Sequence, residues 1–226
     1  MSDLRLVIFD VDGTLVDSQG DILAAMGAAF AKAGHCVPDR AAILGIVGLS
    51  LDVAIPRLAP DLPAGLHTRM VGWYKDAYVG LRSAGGVQAS SPLYPHVRDV
   101  LEALHARPDT LLGVATGKSR RGLDKLLDGH ALRPLFITQQ VSDHHPSKPH
   151  PAMLHAALSE TGLDPHQAVM VGDTEYDIDM ARAAGIPAIG VGWGYHPAER
   201  LHGAAHVIDD IRALPDLLTR MWESVA

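Results

Sequence analysis

Residues 4–17 read Leu-Arg-Leu-Val-Ile-Phe-Asp-Val-Asp-Gly-Thr-Leu-Val-Asp, an apolar, β-prone run that reaches two carboxylates, Asp10 and Asp12. Because side chains alternate along a strand, both acids lie on one side, and Gly13-Thr14 then turns the chain. Paired acids at a strand end offer hard oxygen ligands to Mg²⁺, and a carboxylate held there can attack phosphorus. The simpler alternative is an Asp-Gly turn whose acids only cap the loop.

Two more predicted strands end in polar residues. The run 111–115 is followed by Thr116-Gly117, and the run 168–171 by Gly172-Asp173. Ser147-Lys148-Pro149 places a lysine in a loop, because a residue before proline disfavours helical backbone. In an open parallel sheet, ligands bind at the carboxyl ends of the strands. We therefore expect six side chains to meet at one sheet edge: Asp10, Asp12, Thr116, Lys148, Asp173 and Asp177.

Residues 17–85 show helical periodicity and contain no convincing strand. A first helix begins at Asp17 or Ser18 and ends at Gly34, and Ser83–Gly86 indicates a hinge. From Leu93 onward strands and helices alternate, which predicts a doubly wound parallel α/β sheet with helices on both faces. The other predicted helices are 39–44, 51–58, 62–81, 96–106, 119–128, 151–161 and 177–185, and the other predicted strands are 111–115, 135–138, 168–172, 187–191 and 205–208.

The composition is that of a soluble globular protein. The chain has 226 residues, 47% hydrophobic and 20% charged, with a formal net charge of −7. The acidic balance and the lack of a Lys/Arg-rich run argue against nucleic-acid binding. No apolar run approaches the ~18 residues of a membrane span, and no leader pattern opens the sequence. Cys36 has no partner for a disulfide, so we expect a cytoplasmic, non-membrane protein.

The order of these motifs resembles the haloacid dehalogenase-like hydrolase superfamily. Asp-x-Asp-Gly-Thr at 10–14 is followed by Thr-Gly, then Lys-Pro, then Gly-Asp-x-x-x-Asp at 172–177. The strings at 12–18, 92–97 and 148–151 are most similar to the phosphoglycolate phosphatase-like branch, although His96 stands where that branch has glycine. The resemblance implies a Rossmann-like core, residues 1–16 and 87–226, with an all-helical cap inserted at residues 17–86.

The resemblance also implies a role for each motif residue. It makes Asp10 the nucleophile that becomes an aspartyl phosphate, and Asp12 the general acid and base, whose backbone carbonyl also reaches the metal. Members that act on carbon–halogen bonds lack this second Asp, so its presence favours phosphoryl transfer. Thr116 and the Gly117 amide match the phosphoryl-binding groups, and Lys148 matches the lysine that pairs with phosphate and nucleophile. The implied cofactor is Mg²⁺, with four ligands: Asp10, Asp12, Asp173 and Asp177.

Substrate choice is expected to depend on the helical insert. The stretch Gly45–Leu51 resembles the cap loop that faces the site, which makes Gly48, Leu49 and Ser50 candidate substrate-binding residues. The loop carries no cation to bind a substrate carboxylate, so phosphoglycolate is one candidate among small phosphorylated metabolites. The alternatives are a β-phosphoglucomutase-like phosphoryl transferase and a non-catalytic phosphoacceptor or binding protein. We expect a monomer or a homodimer.

Overall fold

The computed structural model describes residues 4–223 and contains a six-stranded, wholly parallel sheet. The strands are β1 (Arg5–Phe9), β2 (Thr110–Thr116), β3 (Thr138–Val141), β4 (Ala168–Gly172), β5 (Ala188–Val191) and β6 (His206–Ile208). Their order across the sheet is β3-β2-β1-β4-β5-β6. The order of a doubly wound sheet is therefore present, as the sequence predicted.

Helices flank the sheet and fill the long insertion after β1. They are α1 (Gln19–Lys32), α2 (Arg40–Leu44), α3 (Leu51–Leu58), α4 (Ala64–Gly85), α5 (Val87–Ser90), α6 (Val97–His105), α7 (Arg120–Gly129), α8 (Ala152–Thr161), α9 (Glu175–Ala183) and α10 (Leu214–Glu223). Single 3₁₀ turns lie at Arg133–Leu135, Pro165–Gln167, Ala198–Leu201 and Ile211–Ala213.

The central strand β1 is buried on both faces, which explains its unbroken apolar sequence. Val7 and Phe9 pack into a core with α6, α7 and α10, whereas Leu6 and Ile8 pack into a second core with α8 and α9. Alternate side chains of β1 thus serve opposite layers of helix. This arrangement confirms the predicted α/β class.

Helices α1 to α4 bury a core of their own. Phe30 from α1, Ile43 from α2, Ile55 from α3 and Met70 from α4 are all buried in one cluster. Residues 17–86, all within the described part of the chain, contain no strand. The prediction that this insertion is helical is confirmed.

The predicted strand 135–138 is wrong by three residues. Pro134 favours a 3₁₀ turn at Arg133–Leu135, and Phe136 reaches the core from an irregular segment. The true strand β3 reads Thr-Gln-Gln-Val and pairs only with β2. As an edge strand it carries polar side chains. The prediction relied on apolar residues to locate the strand and therefore selected the wrong segment.

One helical boundary and two whole helices also differ from expectation. The helix α4 runs through most of the predicted hinge and ends at Gly85, and the next residue, Gly86, has a φ of 76° that is readily adopted only by glycine. The helices α5 and α10 were not predicted. No helix within residues 4–223 is long and apolar enough to cross a membrane.

Candidate active site

The predicted site residues gather where the strand order reverses. After β1 the chain builds the sheet outward on one side through β2 and β3, and then crosses to the other side at β4. Asp10 follows β1, Thr116 ends β2, and Asp173 follows β4. The carboxyl ends of these adjacent strands therefore bring together side chains that are far apart in sequence.

Lys148 lies at the centre of this site, with its side chain fully buried between two acids. Its Nζ is 2.9 Å from Asp10 Oδ1 and 2.6 Å from Asp177 Oδ1. Burial alone would lower the pKa of Lys148, but the carboxylates of Asp10 and Asp177 outweigh it and raise that pKa. The lysine therefore stays charged and fixes the position of both acids.

Asp173 is held by neighbours from two other loops. The Thr14 hydroxyl donates to its Oδ1 at 2.9 Å, and the Tyr195 backbone N–H donates to its Oδ2 at 2.8 Å. A Cβ on Gly13, where φ is +85°, would lie 2.1 Å from Asp173 Oδ2, and a Cβ on Gly194 would lie equally close to Asp173 Cβ. Two glycines are thus required for this carboxylate to approach the backbone.

Asp177 is oriented by the first turn of its own helix. The Thr174 hydroxyl donates to its Oδ2 at 2.7 Å, and the Thr174 N–H donates to the same oxygen at 3.1 Å. Thr174 is also the N-cap of α9, so a capping box aims the acid inward. The third residue of this helix, Asp177, thereby lies beside Asp173 and Asp10.

The three acids Asp10, Asp173 and Asp177 fit a divalent cation. Each offers a carboxylate oxygen, and these oxygens all lie within 4.8 Å of one another. Both carboxylate oxygens of Asp10 are buried, and apart from the Lys148 ammonium, 2.9 Å from Oδ1, no described residue donates a hydrogen bond to either of them. Burial is the main cause that raises the pKa of Asp10 to about 7, and Asp177 adds to it against the opposing charge of Lys148. A hard cation bound by these oxygens would offset the repulsion, and carboxylate oxygens are what Mg²⁺ prefers.

The Asp12 carboxylate lies apart from this cluster. Ser18 Oγ donates a hydrogen bond to Asp12 Oδ1, and Lys118 Nζ forms an ion pair with the same oxygen at 2.8 Å. The metal role predicted for Asp12 concerns its backbone carbonyl, which is not among the clustered carboxylates. Its side chain is thus not one of the three clustered carboxylates, and it lines the cavity described below.

Lys118 is a site residue that sequence reasoning missed. Burial would lower its pKa, but the carboxylate of Asp12 raises it, so the lysine is charged. Its Nζ also lies 3.3 Å from the Tyr78 hydroxyl and 5.2 Å from the centre of that ring. A lysine after Thr-Gly does not by itself indicate a site residue. Its partner Tyr78 lies on α4, far away in sequence, so the contact cannot be read from the sequence.

The loop Gly45–Leu51, which we call the cap loop, is bound directly to the sheet side of the site. The Ser50 N–H donates to Ser147 Oγ at 2.9 Å, next to Lys148, and the Tyr176 hydroxyl donates to the Gly45 carbonyl at 2.9 Å. A Cβ on Gly117 would lie only 2.6 Å from the Gly48 carbonyl oxygen. The structure thus brings the predicted residues Gly48 and Leu49 against Gly117, and Ser50 against Ser147, so the cap loop contacts the carboxyl edge of the sheet.

A cavity of about 400 Å³ lies between α4, the cap loop and the carboxyl ends of the strands. Asp10, Asp12 and Thr116 line its inner end. Much of its wall is apolar, contributed from α1, the cap loop and α4 by Ile22, Met26, Ile46, Leu49, Val71 and Tyr74. The site can therefore enclose a small molecule whose reacting end faces Asp10.

Comparison with known proteins gives one family and several relatives. A family model described as haloacid dehalogenase-like hydrolase matches residues 7–191. The probable phosphatase IndB of Dickeya dadantii (strain 3937) is 37% identical over 202 residues, covering 88% of this chain and 86% of that protein. A phosphoglycolate phosphatase of Salmonella paratyphi A is 31% identical over 222 residues, covering 89% and 86%. The crystal structure of a predicted phosphoglycolate phosphatase from Haemophilus somnus 129pt superposes with a TM-score of 0.82 at 26% identity, covering 96% of this chain and 99% of that one.

Proposed function

We infer the mechanism from the premise that this chain belongs to the haloacid dehalogenase-like hydrolases, in their phosphoglycolate phosphatase-like branch. It is a phosphatase that hydrolyses phosphoric monoesters, as the sequence predicted. We propose that it acts on a small phosphorylated metabolite, requires Mg²⁺ and passes through an aspartyl phosphate. The observation that carries the proposal is the buried Lys148 between Asp10 and Asp177, with Asp10 itself lining the inner end of the cavity.

In the first proposed step, an oxygen of Asp10 attacks phosphorus and the bond to the leaving oxygen breaks. Asp12 gives its proton to that oxygen, so the leaving group departs as an alcohol. In the second step a water molecule attacks phosphorus, Asp12 takes the proton from this water, and the acyl-phosphate bond breaks. Inorganic phosphate leaves and Asp10 is again a carboxylate.

The other residues lower the charge repulsion in both steps. Lys148 faces the attacking carboxylate, and its ammonium compensates charge on the phosphoryl oxygens. The Thr116 hydroxyl and the Gly117 N–H bind the same phosphoryl group at the end of β2. Mg²⁺, held by Asp10, Asp173, Asp177 and the Asp12 carbonyl, would supply further neutralisation of the phosphoryl charge.

We propose that residues 17–86 form a cap that closes over residues 1–16 and 87–226. The cap contributes Gly48 and Leu49 to the wall of the cavity, whereas Ser50 binds Ser147 beside it, and it contributes none of the catalytic groups. The contact of the cap loop with Gly117 and Ser147 supports this division. A closed lid excludes water from the acyl phosphate until the leaving group has departed.

The test is a screen for phosphate release from small phosphorylated metabolites, with Mg²⁺ or with excess chelator. We expect release that requires Mg²⁺ and disappears in Asp10→Asn, with circular dichroism unchanged. Release that is unaffected by chelation, or normal turnover by a folded Asp10→Asn protein, would overturn the mechanism. The β-phosphoglucomutase-like alternative predicts exchange of phosphate between sugar positions without net release, which phosphorus NMR distinguishes.

We also infer a cytoplasmic location and a monomer or homodimer. Cys36 is an exposed free thiol, which fits a reducing compartment. Sedimentation of the purified protein would decide between the two assembly states.

A further inference from the structure

We propose that the substrate's leaving group is larger than a two-carbon acid and carries a second anionic group, bound by cations on α4 and α7. The shared chemistry is that of a carboxylate or a second phosphate. This inference rests on the proposed phosphatase function and deepens it. It concerns the outer wall of the cavity, which none of the catalytic steps uses.

The outer wall of the cavity is positively charged although the chain has a net charge of −7. The cationic side chains that line it are Lys75, Arg82, Lys118, Arg121 and Lys125. Lys75 and Arg82 are seven residues apart on α4, so they lie on one face of that helix. Among the described lining residues, Asp52 is the only acid besides Asp10 and Asp12. The wall therefore attracts anions.

Four of these cations have no acidic partner. Lys118 pairs with Asp12, but no carboxylate in residues 4–223 lies within 4.0 Å of a charged nitrogen of Lys75, Arg82, Arg121 or Lys125. Basic side chains elsewhere in residues 4–223 are of both kinds: Arg133 pairs with Asp128 at 2.6 Å, whereas Arg69 has no acidic partner. What distinguishes the four cations is that they line one cavity. A cluster of unpaired cations around one cavity costs free energy through mutual repulsion, and an anionic ligand removes that cost.

Arg82 is the most informative member, because it is 7% exposed and lacks a counter-charge. Its two terminal nitrogens donate to the Gly122 carbonyl and the Ser91 hydroxyl, each at 3.2 Å, which are neutral acceptors. Its Nε is buried with no acceptor among the described residues. A buried charge with only neutral partners is expensive, so Arg82 contributes a positive potential that a bound anion would neutralise.

The cations lie on the side that receives the leaving group. Lys118 contacts Asp12 at 2.8 Å and the Tyr78 hydroxyl at 3.3 Å, and Arg82 lies 4.9 Å from the centre of the Tyr78 ring. A line of contacts thus runs from the proposed general acid to the buried arginine on α4. Since Asp12 protonates the leaving oxygen, the rest of the leaving group extends along this line.

The size of the cavity sets the second part of the proposal. The cavity has a volume of about 400 Å³. This volume is measured with the cap loop already in contact with Gly117 and Ser147. Pockets of about 300–1,000 Å³ hold drug-sized ligands, so a two-carbon acid would leave much of this space to water. Apolar side chains such as Met26 and Val71 suit a longer carbon chain between the two anionic groups.

The test compares matched phosphomonoesters with Mg²⁺. The first pair is a phosphorylated four-carbon hydroxy acid and its amide, and the second is a diol bisphosphate and the monophosphate of the same diol. Phosphoglycolate is included to test the effect of the length of the leaving group. We expect the charged member of at least one pair to be preferred in kcat/KM by about tenfold, and the pair that shows it identifies the anion. The longer acid should exceed phosphoglycolate.

The variants assign the preference to the cations. In the combined variant Lys75→Gln, Arg121→Gln, Lys125→Gln, the ratio for the charged and neutral members should fall to within about twofold of one. Arg69→Gln, an exposed cation on α4 outside the cavity, should keep the wild-type ratio. Equal rates within both pairs, an unchanged ratio in the combined variant, or a preference for phosphoglycolate would overturn the inference. If no ester releases phosphate with Mg²⁺, the proposed function fails instead.

Discussion

At the scale of single residues, the site depends on how its buried charges are matched. Asp10, Asp173 and Asp177 present three carboxylates to a region that also holds Lys148 as the one cation in direct contact with them among the described residues. Burial also raises the pKa of Asp173 well above its usual range, with Asp177 and Asp10 contributing. Without a divalent cation the cluster has an excess of negative charge, so its stability and its chemistry should both respond to Mg²⁺.

Replacing Lys148 tests this balance. Lys148→Met leaves Asp10 and Asp177 buried without their cation, and such a change typically costs about 3–5 kcal/mol. We expect a loss of this size in the free energy of urea unfolding without Mg²⁺, a smaller loss with Mg²⁺, and phosphate release reduced by at least about a thousandfold. Lys125→Met, at an exposed lysine without an acidic partner, serves as the control for stability. Equal stability of Lys148→Met and wild type would contradict the account.

The raised pKa of Asp10 gives a pH dependence of defined sign. A carboxyl group with a pKa of 3.8 unfolded and about 7 folded binds more protons in the folded state between these values. Stability of the metal-free protein should therefore decline as pH rises from about 4 to about 7. Asp10→Asn should show a shallower decline over that interval, and Mg²⁺ should stabilise the wild type more above about pH 7 than below about pH 5. Unfolding curves that decline equally in both proteins would show that Asp10 does not have this pKa.

At the scale of elements, the cap loop and the Thr116-Gly117 turn meet backbone to backbone. Gly117 has no room for a side chain because a Cβ would lie 2.6 Å from the Gly48 carbonyl oxygen. Gly48, with φ of +100°, would itself bring a Cβ to 3.1 Å from Thr174 Oγ1. Two glycines on opposite elements thus permit the approach that closes the cavity.

A single methyl group should hold the cap loop away from the turn. Gly117→Ala is expected to lower kcat/KM for substrates that fill the cavity by about tenfold or more, since the reacting groups are no longer enclosed. The melting temperature should change little, because the loop can move outward. Gly72→Ala, in α4 with nothing near its added Cβ, is the matched control and should stabilise by about 0.5–1 kcal/mol without affecting kinetics. Wild-type kcat/KM in Gly117→Ala would show that close approach is unnecessary.

At the scale of the whole molecule, the features that could be predicted from the sequence are those that depend on a local pattern of apolar and polar residues. The strand ends at Asp10 and Thr116 could be placed because apolar runs stop there, and a parallel sheet brings such ends together. The contacts of Asp173 with Thr14 and Tyr195 could not be predicted, since they join three loops that only tertiary packing brings together. The family resemblance, not periodicity, assigned roles to the motif residues, and those roles remain predictions.

Other features were not predicted, because the local sequence pattern of a segment did not match its position in the fold. The strand β3 looks like a loop because its sequence is polar, although three of its four residues are buried in the fold. The cations Lys75 and Arg82 look like an ordinary solvated helix face until the fold places α4 beside α7 along one cavity. A positively charged cavity wall is a property of the assembled fold and has no signature in any one segment.

The most direct test of the central claim is the intact mass of Asp12→Asn after incubation with Mg²⁺ and an activated phosphate ester. Such an ester needs little protonation to leave, so Asp10 should still be phosphorylated, whereas without Asp12 no base activates water for the second step. The account predicts that one phosphoryl group accumulates on Asp12→Asn and is absent from the double variant Asp10→Asn, Asp12→Asn. Consumption of the ester without a phosphoryl adduct, or an adduct that persists in the double variant, would contradict the assignment of Asp10 as the nucleophile.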